Sequence, residues 1–477
     1  MCGMIVQGPL GCVVAASALV VVAASLAAEP TAVQTRARPQ TNFLVILCDD
    51  LGYGDLGCFG NRRVRTPCLD RLAAQGMRLT ACYASAPVCS PSRCGMLTGR
   101  IPNRLGVYDW IPAGSPVHLR RDEVTIARLL QQAGYDTCHV GKWHCNGMFN
   151  SPEQPQPVDH GFNHWFSTQN NAAPSHDSPT NFVRNGQPVG RLEGFSSSLV
   201  ADEAIRWLEG RADKRRPFCL FVWFHEPHEP IASPEKYVRL YPEATVPGQA
   251  LYYANVSQMD SQVGRLMEYL ERSGLAESTL VFFTSDNGPE TLNRYRGSWR
   301  SHGTAGPLRG MKLWLYEGGI RVPGIIRWPG RTKPGQICDE PVINLDILPT
   351  FCQIAGIQMP TDRAIDGASF LPILEGRPIP RVQPLYWQYD QALGWARVAM
   401  RDRDFKMLAD AALERFELYH IRQDMGETTD LAAKEPQRLK TMATQLRRIY
   451  AQVKAEGPSW PADRAPAGKK PGKRTRS

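Results

Sequence analysis

The segment Cys89-Ser90-Pro91-Ser92-Arg93-Cys94-Gly95-Met96-Leu97-Thr98-Gly99-Arg100 concentrates more chemistry than any other part of the chain. Ser90 is suited to cap a helix with Pro91 at its first position, which sets Cys89 just outside a helix N-terminus. Backbone N–H groups and the helix dipole favour anions there. Arg93 adds a planar donor fork matched to a tetrahedral oxyanion. On residue types alone, this reads as a cysteine nucleophile of lowered pKa beside an anion site.

Elements predicted elsewhere carry further reactive groups to their ends. The run Asn42 to Cys48 is almost wholly apolar, a buried strand that ends in Asp49-Asp50. Thr66-Pro67 opens a helix that Gly76 closes, and a second helix is expected from Asp122 to Gly134. Tyr135 to Val140 reads as a short strand leading into Gly141-Lys142-Trp143-His144. After an amphipathic helix from Ser198 to Leu208, the apolar strand Phe218 to Phe224 ends in His225-Glu226-Pro227-His228. A long helix through Val256, Met259, Val263, Leu266 and Leu270 precedes the strand 280–284, which ends in Ser285-Asp286-Asn287-Gly288. Alternating strands and helices imply an α/β domain with a mainly parallel sheet, and ligands in such sheets bind outside the carboxyl ends of the strands. Four predicted strands end in polar, chemically capable residues. Beyond about residue 370 the texture changes to short segments at 396–400, 405–408 and 416–419, read as a small antiparallel sheet, followed by a helix from Gln437 to Val453.

The Cys89 segment closely resembles the signature of the type I sulfatases, Cys-x-Pro-x-Arg followed by Thr-Gly, a family of the alkaline-phosphatase-like superfamily. Its other motifs follow in the family's order from Asn42 to the C-terminal helix. The resemblance implies a sulfuric ester hydrolase with a large, mainly parallel α/β sheet flanked by helices and a smaller C-terminal antiparallel-sheet-plus-helix domain. It implies that Cys89 is oxidised to formylglycine by a formylglycine-generating enzyme. It places Asp49, Asp50, Asp286 and Asn287, with the oxygen of modified Cys89, around calcium. These are hard oxygen ligands that select Ca²⁺, with Mg²⁺ as the alternative, over Zn²⁺. Lys142 and His144 match the pair beside the nucleophile, His228 matches the histidine facing the leaving group, and Lys312 matches a second sulfate-binding lysine. Arg93, Lys142 and Lys312 together would offset charge developing on the sulfate oxygens. The implied substrate is a sulfated glycan of galactose or N-acetylgalactosamine type.

Taken singly, Asp-Asp, Asp-Asn-Gly and Gly-Lys-x-His are ordinary turns or loops, and His225 competes with His228 for the histidine role. Other readings are a broad arylsulfatase, an inactive glycan-binding relative, a phosphodiesterase or phosphonate hydrolase on the same fold, and a plain cysteine hydrolase. Rim residues expected to read the substrate are Gln169-Asn170-Asn171 and the stretch Asn293 to His302, with Arg294, Arg296, Trp299 and Arg300 suited to stacking and to pairing with anions.

The 477 residues, 43% hydrophobic and 21% charged, suffice for a large core plus a smaller second unit. Domain boundaries are expected at 1–28 (signal peptide), 29–40 (linker), 41–370 (catalytic), 371–460 (C-terminal) and 461–477 (disordered basic tail). The apolar run 13–26 before Ala27-Ala28 reads as a signal h-region, too short for a membrane span, and predicts export to a periplasmic, extracellular or lumenal space. The net charge of +9 draws five positive charges from Lys469, Lys470, Lys473, Arg474 and Arg476, a solvated tail rather than a nucleic-acid site. Thirteen cysteines show no CxxC spacing, and their pairing is not readable.

Overall fold

The computed structural model describes residue 11 and residues 40–461 except 292, 295 and 296. The expected signal segment apart from residue 11, nearly all of the linker, and the tail beyond residue 461 lie outside the described residues, as does Arg296. No helix among the described residues is long and apolar enough to cross a membrane.

An eleven-stranded sheet forms the body. Its strands are β1 (Asn42–Asp49), β2 (Met77–Tyr83), β3 (Asp136–Lys142), β4 (His164–Thr168), β5 (Val183–Arg184), β6 (Gln187–Pro188), β7 (Phe218–Pro227), β8 (Thr279–Ser285), β9 (Arg321–Arg327), β10 (Gln336–Cys338) and β11 (Val342–Ile343). The order is β10-β2-β9-β8-β1-β7-β3-β4-β5-β6, with β11 also on β2. The central run β8-β1-β7-β3-β4 is parallel throughout, with Leu44 opposite Leu220 on one side and Val281 on the other. Strand β9 runs antiparallel to both β2 and β8.

Both faces of the sheet are covered, which is why β1 is apolar at every position from Phe43 to Cys48. Phe43, Val45 and Leu47 face a core built with α2 (Cys89–Thr98), α3 (Ile126–Gln132) and α8 (Ile347–Ala355). Leu44, Ile46 and Cys48 face the opposite core, built with α1 (Pro67–Gln75), α4 (Ser196–Gly210) and α6 (Gln249–Arg272), while the one-turn helices α5 (Glu235–Val238) and α7 (Glu317–Ile320) lie in the connections after β7 and before β9. Asn255, formally in a glycosylation sequon, is wholly buried in α6 with its amide donating to Ala232 O at 2.9 Å. All eleven cysteines from Cys48 to Cys352 are free thiols.

A second sheet is antiparallel, with strands β12 (Leu385–Gln388), β13 (Val398–Asp402), β14 (Phe405–Ala409) and β15 (Phe416–His420) in sequential order. The helix α9 (Pro436–Glu456) packs on it through Met442, Leu446, Ile449 and Val453. The same core takes in Tyr83, Val88, Cys89 and Tyr316 from the large sheet's loops. Strand β12 escaped the sequence reading because it is only four residues long and Pro378, Pro380 and Pro384 crowd the approach to it.

The two sheets share a buried ion network. Lys406 of β14 bonds Glu317 at 3.0 Å and Glu427 at 2.9 Å with all three side chains inaccessible. Glu317 also accepts from Tyr83 Oη at 2.6 Å, while Glu427 accepts from the Glu317 backbone N–H at 2.6 Å. Burial acts to raise both carboxyl pKa values. Lys406, Arg321 and Arg401 overcome it at Glu317 and hold that group low, whereas Glu427 stays raised. Lys406→Met is therefore expected to cost about 3–5 kcal/mol near pH 8, because it strands buried carboxylate. The loss shrinks toward about pH 5, where Glu427 takes a proton that its raised pKa favours in the folded state. Denaturant unfolding at the two pH values checks this.

Candidate active site

The four strands whose ends the sequence marked are neighbours in the sheet, in the order β8-β1-β7-β3, and they point the same way. Their carboxyl ends bring Asp286-Asn287, Asp49-Asp50, His225 to His228 and Lys142 to one place. Cys48 pairs with Ser285, and Asp49 with Pro227. The Asp286 backbone N–H donates to Cys48 O at 3.1 Å, and Asp50 N–H donates to Asp286 Oδ1 at 3.2 Å.

Cys89 does not precede its helix as the Ser90 cap reading required. It is the first residue of α2, with extended Val88 as the N-cap and no side-chain cap. Ser90 Oγ instead accepts from Ile111 N–H at 3.0 Å, which ties the helix start to a rim loop. The second helix differs similarly. It starts at Ile126 rather than Asp122, because Thr125 Oγ1 caps it by accepting from Arg128 N–H at 3.1 Å. Burial pushes the Cys89 thiol up to about 11 despite Lys142 and Lys312 nearby. The lowered cysteine pKa expected from a helix-start position is thus reversed, and an unmodified thiol there stays protonated at neutral pH.

Three carboxylates and three cations interlock. Arg93 reaches Asp286 Oδ2 with Nη2 at 2.7 Å and with Nε at 2.9 Å, and donates from Nη1 to Lys142 O at 2.8 Å. Lys142 Nζ lies 2.6 Å from Asp49 Oδ2 and donates to Asn171 Oδ1 at 3.2 Å. Lys312 Nζ lies 2.7 Å from Asp50 Oδ2. His228 Nε2 stands 3.5 Å from the same Asp50 oxygen, while its Nδ1 faces Glu229 O at 2.6 Å. Burial raises Asp286, with Asp49 adding repulsion. At Asp49, burial is outweighed by Lys142, His228, Arg93 and Lys312, and its pKa is held well below the usual range.

His225 sits apart from this cluster. It is fully buried, with Nε2 against Thr168 Oγ1 at 2.8 Å. His144 is 1% exposed. Its Nε2 faces Ile111 O at 3.1 Å, which puts the proton on Nε2 and leaves Nδ1 bare, and Nδ1 has no hydrogen-bond partner. Burial, then Lys142 and Arg93, lowers its pKa well below the usual value, so the ring is neutral.

Asp50, His144 and Leu313, beside Lys312, are non-glycine residues with φ of 65°, 52° and 68°. Such backbone is held only where surroundings over-determine it, and it clusters at functional sites. Gly141, at φ 102°, has no room for a side chain, since a Cβ would lie 1.9 Å from Trp223 O.

The donor set suits a hard cation. Asp49, Asp50, Asp286 and Asn287 offer oxygen, and the buried Asp49 Oδ1 and Asn287 Oδ1 accept no hydrogen bond. Asp49, Asp50 and His228 present ligand atoms within 4.8 Å of one another. Of the expected rim residues, Asn171 touches Lys142, while Gln169 Nε2 donates to Ile111 O and Asn146 O at 3.0 and 2.8 Å. Trp299 is half exposed, Arg294 pairs with Glu290, and Arg300 pairs with Glu229. Sequence reasoning missed the loop 109–111, whose Ile111 carbonyl holds both His144 and Gln169. It lacks any periodic or motif signal.

A parallel sheet with acids and cations gathered at adjacent strand ends, plus a small antiparallel sheet, defines the alkaline-phosphatase-like class. Within it, a family profile described as Sulfatase matches residues 41–357, and one described as N-sulphoglucosamine sulphohydrolase, C-terminal, matches residues 311–456. The chain is 33% identical to mouse steryl-sulfatase over 444 residues, covering 74% of this chain and 67% of that protein. It is 32% identical to rat N-acetylgalactosamine-6-sulfatase over 372 residues, covering 72% and 68%. The crystal structure of Ps i-CgsB in complex with k-i-k-neocarrahexaose aligns with a TM-score of 0.77 and 26% identity over 88% of this chain and 94% of that one. The chain belongs to the sulfatase family and is a sulfuric ester hydrolase.

Arg93→Lys retains a charge but cannot bond Asp286 through two nitrogens and the Lys142 carbonyl together. The variant is expected to lose about 10²-fold or more in kcat, measured by steady-state hydrolysis of an aryl sulfate, with a lowered unfolding midpoint.

Proposed function

We propose that the enzyme hydrolyses sulfate esters of a glycan of galactose or N-acetylgalactosamine type, with Cys89 matured to formylglycine and a calcium ion on Asp49, Asp50, Asp286 and Asn287. The observation that carries this reading is the interlocked set of buried acids and cations gathered beside Cys89. A thiol nucleophile is poorly served there, whereas a hydrated aldehyde at that position supplies a hydroxyl to attack sulfur and a second hydroxyl by which sulfate can be expelled. The calcium ion would offset the acids, so that Arg93, Lys142 and Lys312 can offer their charge to sulfate. Magnesium is the alternative, and its stricter octahedral demand is the less natural match to this crowded carboxylate set.

The protein's own groups then divide the proton traffic. His144, neutral and bare at Nδ1, would accept on that atom the proton of the second hydroxyl as sulfate leaves. His228 donates from Nδ1 to Glu229 O, so only its imidazolium form carries a proton on Nε2, where it faces Asp50 and can pass that proton to the departing alcohol oxygen, and Lys312 shares Asp50 with it. Burial, then Lys312, lowers the His228 pKa against the pull of Asp50, so the imidazolium gives up its proton readily. Arg93, anchored at both ends and stacked 5.2 Å over Trp223, orients the sulfate. Export after signal cleavage and modification by a formylglycine-generating enzyme complete the reading.

Expressed in a host that contains a formylglycine-generating enzyme, the tryptic peptide Leu79–Arg93 is expected to show the formylglycine mass at Cys89. An unmodified thiol in that host sinks the mechanism. Removing the metal with a calcium chelator should abolish turnover and lower the unfolding midpoint, both restored by Ca²⁺. Chelated enzyme with full activity would exclude the metal assignment.

A further inference from the structure

The comparisons join this chain equally to enzymes named for steroid and for amino-sugar substrates, so the leaving group must be read from the site itself. The loop 109–111 is placed to read it. Trp110 is a large aromatic left 46% exposed, and its ring centroid lies 6.5 Å from that of His144. The loop cannot drift, because Ile111 O accepts from His144 Nε2 at 3.1 Å and from Gln169 Nε2 at 3.0 Å, and Ile111 N–H donates to Ser90 of the nucleophile helix at 3.0 Å.

Asp109 stands beside the tryptophan, partly buried. Its Oδ1 accepts from Trp110 N–H at 2.8 Å and from Tyr389 Oη at 2.9 Å, and Tyr389 follows strand β12 of the small sheet. Its Oδ2 has no hydrogen-bond partner among the described residues. The carboxylate is thus locked through one oxygen and presents the other. A flat apolar ring next to an oriented carboxylate matches a pyranose. The ring's C–H face stacks on the aromatic, and its hydroxyls donate to the carboxylate in strong charge-assisted bonds. A steroid or simple aryl sulfate offers no hydroxyls beside its sulfate, and would dehydrate this half-buried carboxylate without a hydrogen bond in return, leaving it only the charge of Arg294. Among the rim arginines, Arg300 is turned onto Glu229, and Arg294, paired with Glu290, also lends its charge to Asp109.

We infer that Asp109 and Trp110 form the subsite for the sulfated ring and select a sulfated, hydroxyl-bearing pyranose over steroid and aryl sulfates, an inference that rests on the glycan reading above. The test compares wild type, Asp109→Asn, Trp110→Ala and Trp110→Phe. The probes are monosulfated methyl galactosides and N-acetylgalactosamine sulfates, set against 4-nitrophenyl sulfate and a steroid sulfate. Wild type should favour a sugar sulfate. Asp109→Asn and Trp110→Ala should each lower the sugar-to-aryl ratio of kcat/KM by about tenfold or more, mainly through KM, with Trp110→Phe recovering most of the loss. A wild-type preference for the steroid sulfate, or proportionate losses on sugar and aryl esters, overturns the subsite. Calorimetric binding of galactose 6-sulfate and N-acetylgalactosamine 6-sulfate and their 4-sulfated isomers to protein left unmodified at Cys89 separates this from failure of the formylglycine chemistry. About tenfold weaker binding of the best-bound sugar by Trp110→Ala supports the subsite even in inactive protein, and unchanged affinity, or no binding of any of the four by wild type, removes it.

Discussion

Charge compensation in a water-excluded space is the constraint on which this structure turns. Asp49 and Asp286 are wholly buried and Asp50 nearly so, at the ends of two adjacent strands. Taking each carboxylate out of water costs several kcal/mol unless a partner meets it. The partners come from far along the chain: Arg93 from α2, Lys142 from the end of β3, and Lys312 from the loop before β9. Each pair therefore fixes one segment against another. The assembled site and the folded strand ends are held by the same contacts, and the cations that keep the acids buried are those proposed to meet an incoming sulfate.

That dual use has a cost, visible in the backbone. Asp50, His144 and Leu313 all take left-handed conformations, and Gly141 sits against the Trp223 carbonyl where no side chain fits. Such geometry persists only if the rest of the fold over-determines it. The parallel strands beneath supply part of this. The small sheet supplies another part, since Lys406 locks Glu317, and Glu317 begins the turn that follows Lys312. The C-terminal sheet thus acts on the Lys312 loop at a distance, and through Tyr389 and Asp109 it also reaches the loop 109–111. The antiparallel sheet is part of the site's support rather than an appendage.

Much of this was legible in the residues. Strand β1 announces itself as an unbroken apolar run because both its faces are covered, and the long helix α6 by its helical spacing of Val256, Met259, Val263 and Leu266. The chemical residues were legible because strand ends are where a parallel sheet must place polar groups, and because the Cys89 segment fixes many residue types at once. Caps were less legible. Ser90 looked like a cap but serves Ile111 N–H, and Thr125 was passed over although it caps α3. Several nearby hydroxyl residues satisfy the same local rule, and tertiary contacts choose among them.

The alternation of elements, the strand-end chemistry and the family depend on local pattern and residue type, and so could be read from the residues in order. Tertiary structure alone decided that β8, β1, β7 and β3 lie side by side, so that residues up to 237 positions apart, such as Asp50 and Asn287, bond one another. It decided which cation meets which acid, that His228 rather than His225 faces Asp50, and that Asp109 and Trp110 stand beside His144. Strand order and loop placement are set by long-range packing and by the need to pair every buried charge, and no local stretch of residues encodes either.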